Sequence, residues 1–197
     1  MEKALKKYID SMSADGKEEV RPLLQQTSSL HRFRLLMDVR GDEYSGNTGS
    51  HIAARENDLE TMKCMLVDLT SDQRYAVLRI QAYGGLSALH YAATNGFSSI
   101  ITYLLTDFSQ QQKYNLLQLQ DDDGNTPLHR AASEQESVAG QAILTSLSLQ
   151  HQLQLLNIKN QKGQTVADIS PEVYRKHPVL ISLGIVILHI ILQLKYF

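Results

Sequence analysis

The sequence predicts an all-α solenoid, a stack of helix–turn–helix units, followed by an apolar C-terminal helix. Gly46, Gly85, Gly124 and Gly163 recur every 39 residues, and His51, His90 and His129 keep the same interval. A fixed period of roughly 20–50 residues marks a chain that stacks copies of one supersecondary unit. The third observation is an abrupt change of composition after Pro171, where an uncharged apolar run replaces the repeat.

Size and composition narrow the function classes. The chain has 197 residues, 43% of them apolar, enough for one ordinary core. A formal net charge of −2 leaves no basic footprint for nucleic acid. The clusters Lys6-Lys7 and Arg32-Phe33-Arg34 read as solvated helix faces. One cysteine, Cys64, excludes an internal disulfide and reads as a small buried hydrophobe in a reducing compartment. The first residues lack the apolar run of a signal peptide, and no Asn-x-Ser/Thr acceptor occurs, so the repeats are not expected in the secretory lumen.

The elements follow in order. Residues 1–17 form a lead helix, and the repeat domain spans 18–170. Leu23-Leu24, Ser28 with His31 three residues later, and Leu35-Leu36 make a half-repeat able to close the stack. The first helices start after Gly46-Asn47-Thr48, Gly85-Leu86-Ser87 and Gly124-Asn125-Thr126, with Gly163-Gln164-Thr165 opening a fourth copy. Glycine admits the positive φ of a tight turn, and Thr or Ser two residues on is a natural N-cap. Pro127 suits the first helical position, and the Ala-Ala pairs at 53–54, 92–93 and 131–132 allow close helix approach. Second helices are expected at 59–69, 98–107 and 137–146, with Met65, Leu104 and Ile143 in one apolar column and Leu66, Leu105 and Leu144 in the next. Thr70, Ser109 and Ser148, each followed three residues later by Gln73, Gln112 or His151, predict a capped third helix in every copy.

Gly-Asn-Thr-Pro-Leu-His-Arg-Ala-Ala at 124–132 resembles the ankyrin-repeat signature, and residues 85–93 come close to it. The usual ankyrin period is about 33 residues. Each copy here carries about six more, placed where the capped third helix is expected. The likeness covers roughly residues 18–170. Its first full copy departs from the pattern, with Gly49-Ser50 in place of Pro-Leu. The resemblance implies a concave face for protein partners and no catalysis. Carried over position by position, it makes Ile52, Arg55 and Glu56, then Tyr91, Thr94 and Asn95, then Arg130, Ser133 and Glu134 the partner contacts. Asp121, Asp122, Asp123 and Asn125 fall at a projecting turn. It also implies that the repeated histidine bonds backbone between neighbouring turns.

Catalytic and metal-binding readings are weaker. Equivalent histidines of stacked repeats lie about 8–10 Å apart, whereas Zn–N bonds need about 2.0–2.1 Å. Asp121-Asp122-Asp123-Gly124 lacks the ligand spacing and closing glutamate of a calcium loop. There is no nucleophile elbow and no phosphate loop. Tyr75-x-x-Leu78 and Tyr114-x-x-Leu117 match sorting motifs in form, yet fall in expected helices, where packing accounts for them. No cofactor, small-molecule substrate or nucleic acid is expected.

Residues 171–177 form a linker, and 178–195 read as a transmembrane helix at the lower length limit for a bilayer. Arg175 and Lys176 precede it, and Lys195, Tyr196 and Phe197 follow, which suits interfacial anchoring. This reading makes the protein a single-pass membrane protein with cytosolic repeats. The alternative is a soluble cytoplasmic scaffold or inhibitor whose tail caps the last repeat, forms a dimer contact or binds a partner. His189, near mid-membrane and costly there unless neutral or paired, argues for that alternative.

Overall fold

Residues 2–11, 14–38 and 46–170 are described by a computed structural model. The expected linker and transmembrane helix, 171–177 and 178–195, lie outside the described residues. Within them the chain folds into thirteen α-helices and no strand. They are α1 (Glu2–Ser11), α2 (Ala14–Gln25), α3 (Ser29–Asp38), α4 (Gly49–Arg55), α5 (Leu59–Leu66), α6 (Ser71–Leu78) and α7 (Ala88–Thr94). Then come α8 (Ser98–Leu105), α9 (Gln110–Leu117), α10 (Pro127–Ser133), α11 (Ser137–Thr145), α12 (Leu149–Leu156) and α13 (Val166–Ile169).

Helix contacts sort these into three columns. First helices stack as α1, α4, α7, α10 and α13, while among the second helices α2 packs on α5 and α8 on α11. The inserted third helices are α3, α6, α9 and α12, with α3 packing on α6 and α9 on α12. The core is continuous through all three columns, running from Leu5 and Leu24 through Met62, Leu89 and Leu104 to Leu144 and Val166. The N-terminal region is more than a half-repeat: α1 packs on α4 and buries Leu5 completely, so the first unit has three helices. No glycine–hydroxyl turn announces α1, which is why its place in the column was not visible beforehand.

Third helices form for the reason expected. Thr70 and Ser109 accept from the N–H groups of Gln73 and Gln112, whose side-chain oxygens accept from the N–H groups of Thr70 and Ser109. The cap at Ser148 is looser, a 3.2 Å contact between its hydroxyl and His151 Nδ1. Tyr75 lies edge-on to Phe108 of the following unit, and Tyr114 stacks on His151 at 5.0 Å. Packing therefore accounts for both tyrosines.

Two expectations change. Arg32 is buried in the core instead of lying on a solvated face; Arg34 is exposed. Arg32 Nη1 donates to the carbonyls of Leu24 (3.1 Å) and Cys64 (3.0 Å), at the ends of α2 and α5. A helix end leaves carbonyls without intrahelical partners and carries partial negative charge, so a cation is held there. Arg74 repeats this one unit on, donating to the Tyr103 carbonyl and pairing with Asp107. Cys64 is only partly buried, because it lies under this same edge, where Gln25 Nε2 approaches its sulfur at 3.6 Å.

Candidate protein-interaction face

Three of the first helices, α4, α7 and α10, are each tied to the turn before them and to the following unit through one histidine. His90 Nδ1 accepts from the Ser87 amide at 3.1 Å and lies 2.8 Å from the Ser87 hydroxyl. A backbone amide can only donate, so Nδ1 is bare and Nε2 carries the hydrogen. That hydrogen points to the Asn125 carbonyl, 3.0 Å away in the next turn. His129 repeats the arrangement, with Nε2 at 3.2 Å from the Gln164 carbonyl. His51 likewise accepts from the Thr48 amide but turns Nε2 to the Ile80 carbonyl at 3.2 Å, six residues short of the matching place. This is the role implied by the resemblance. Burial lowers the His90 pKa to about 4, against a smaller opposing effect of its bond to the Asn125 carbonyl. His129 moves in the same direction, again chiefly through burial. The His90 and His129 rings are therefore neutral crosslinks at neutral pH.

The turns form a ladder of their own. Gln81 Nε2 donates to the carbonyls of Gly85 and Gln120, and Gln120 Nε2 to those of Gly124 and Lys159. The Asp122 amide donates to the Gly84 carbonyl, and the Gln161 amide to the Asp123 carbonyl, both at 2.9 Å. Such close approach excludes side chains: a Cβ at Gly85 would stand 2.8 Å from Asp121 Cα, and one at Gly124 2.6 Å from the Gln161 nitrogen. The Gln81–Gln120 pair was missed in the sequence. Its signal was there, since the two glutamines keep the 39-residue interval.

The residues expected to meet a partner divide into three groups. Ile52 is 2% exposed and belongs to the core, so it presents no surface in this conformation. Asp121 is also buried and holds its turn together. Its Oδ1 accepts from the amides of Asp123 (3.0 Å) and Asn125 (2.8 Å), while Oδ2 meets Arg130 at 2.6 Å. Asn125 is half-buried, its side-chain oxygen accepting from Asn160 Nδ2 at 3.0 Å. The rest stay accessible. Glu56, Asn95, Asp122, Asp123, Ser133 and Glu134 are exposed, and Arg55, Tyr91, Thr94 and Arg130 are half-buried. Arg55 faces Glu56 at 3.1 Å, Arg130 also approaches Asp123 at 3.4 Å, and Tyr91 sits edge-on to His51.

The second helices are anchored separately. Asp58 caps α5 by accepting from the Thr61 amide, and its carboxylate meets Arg21 Nη2 of α2 at 2.5 Å. Burial would raise the Asp58 pKa. The bonds from Thr61 and Arg21 outweigh that and hold it below the usual carboxylate range. Among the described residues no group of three or more His, Cys, Asp or Glu side chains converges as a metal site would need.

Neutral histidines bridging successive turns, alanine-faced first helices and accessible polar residues along one edge define a helical repeat protein built for surface contact. The chain matches the family described as ankyrin repeats, in three copies, over residues 50–152. It belongs to that family. No curated protein matches it.

Proposed function

We propose that this chain is a non-enzymatic protein-interaction module whose partner lies along the first helices and turns. The supporting observation is the row Arg55–Glu56, Tyr91–Thr94–Asn95 and Arg130–Ser133–Glu134. It is accessible in three consecutive units, while the pairs Ala92-Ala93 and Ala131-Ala132 within it are buried. A rigid stack holds such a row at fixed spacing, so little ordering entropy is lost on docking. Tyr91 and Arg130 are the residue types that dominate interface energetics. Affinity capture with the intact protein and with a Tyr91→Ala/Arg130→Ala/Glu134→Ala variant tests the assignment. The variant should lose the specific partner, and an identical set of captured proteins places the interface elsewhere.

The segment 178–195 then tethers the module to a membrane, with the repeats in the cytosol. What supports this is the uncharged apolar run 179–194 between basic and aromatic flanks. No described helix is long and apolar enough to cross a membrane. A tethered protein pellets with membranes and resists alkaline extraction, and deleting residues 178–197 releases it. Free solubility of the full chain without detergent removes the tether and leaves a soluble scaffold.

A further inference from the structure

We propose that residues 179–194 have a seat on the protein itself, the edge of α12 that carries Leu149 and Leu153, and occupy it whenever no bilayer is available.

The observation behind this is what the third helices do at their leading edge. In α9 the residue corresponding to Leu149 is Gln110. It donates to the Ser146 carbonyl at 3.4 Å and accepts from the Ser148 amide at 2.6 Å, both in the unit that follows. The residues corresponding to Leu153 are Tyr75 and Tyr114, whose rings pack against Phe108 and His151 of the following unit. These two positions therefore face the next copy. After α12 no further second or third helix appears among the described residues, and α13 packs chiefly on α10. The last copy carries leucine at both places, 45% and 36% exposed. Residues four apart on a helix share a face, so the two side chains form one apolar strip. A terminal repeat normally shows a polar outer face for solubility, and glutamine would have sufficed at 149.

The chain supplies an occupant at the same end of the stack. The described residues close at Ser170, directly after α13. Residues 171–177, at about 3.3 Å per residue when extended, reach roughly 23 Å. The run from Val179 to Leu194 then follows with no formal charge, so laying it on Leu149 and Leu153 buries no ion. Its polar members Ser182, His189 and Gln193 fall seven and four apart. At helical spacing that is one narrow stripe, which can face water while the rest covers the leucines. This goes beyond the membrane tether, giving the segment a protein-bound alternative to the bilayer, and stands or falls independently of it.

The test uses the full chain carrying Cys64→Ser and Leu153→Cys, labelled at position 153 with a photoreactive benzophenone and synthesised without membranes. Illumination and peptide mass spectrometry should place the adduct within 179–194 of the same molecule. Adding Leu149→Gln should lower its yield several-fold, and moving the label to Val138→Cys, exposed on α11, should abolish it. Phosphatidylcholine vesicles present during synthesis should draw the segment away, with loss of the adduct. An adduct to a differently isotope-labelled second copy, or none within 179–194, overturns the proposal. Alkaline extraction of the vesicles reads the tether separately: repeats that wash off while the membrane-free adduct persists refute the tether and leave the α12 seat standing.

Discussion

His90 does with one neutral ring what a helix end otherwise needs several groups to do. It takes the Ser87 amide on one side and gives its proton to the Asn125 carbonyl on the other, wholly out of water. Replacing it with alanine opens a cavity and leaves a buried amide and carbonyl short of partners, so His90→Ala should cost roughly 3 kcal/mol in urea unfolding. The ring also sets an acid limit. Its folded pKa of about 4 lies below the ordinary 6.5, so between those values the unfolded chain binds more protons than the native one. The His90 contribution is complete above pH 6.5 and is lost as pH falls toward 4, on the order of 3 kcal/mol over that window. His129 adds to it in the same direction. Urea midpoints between pH 7 and 4 should therefore drop steeply for the wild type and less for His90→Ala. Parallel curves would show that the ring titrates as in water. The histidine column was plain in the sequence because it is periodic. Arg32 was not, since burial of a guanidinium depends on which carbonyls another helix brings within reach, here those of Leu24 and Cys64.

At the level of the helix and the turn, geometry ranks substitutions that look alike in sequence. Thr70→Ala and Ser109→Ala each remove a reciprocal cap and should cost about 1 kcal/mol. Ser148→Ala should cost clearly less, because its hydroxyl makes only the long contact to His151. The turn glycines differ in the same way. All have positive φ, but a methyl group at Gly163 meets nothing within 4 Å, whereas at Gly85 and Gly124 it strikes backbone of the next turn. Gly163→Ala should therefore cost only the conformational strain, about 1 kcal/mol. Gly85→Ala and Gly124→Ala should cost severalfold more, and equal losses in thermal melts would show that the turns can separate. The third helices were legible because a capping box is a local signal. The first unit was only half legible, since α1 is assigned by its packing on α4 and no local signature marks it.

Over the whole molecule, stability spreads by neighbour contacts along three columns. Hydrogen exchange should be slowest in α4, α7 and α10, which have first-helix neighbours on both sides, and fastest in α13, a single turn at the end of the column. Uniform protection would mean that the stack opens only as one body. The proposed interaction face is a row of positions in the sequence, and most of its members are accessible. Ile52 and Asp121 depart from it because accessibility depends on the neighbouring unit, which no single copy records. The bonds between turns carry a further meaning. Gln81 to Gln120, Gln120 to Lys159 and Gln161 to Asp122 each join residues 39 apart. Donor and acceptor are thus the same two places on successive copies, like the stud and socket of one brick. A cassette such as residues 85–123 brings both, so the array can be lengthened or shortened by whole copies without designing a new joint. The size of this binding surface is then a matter of how many units are strung together.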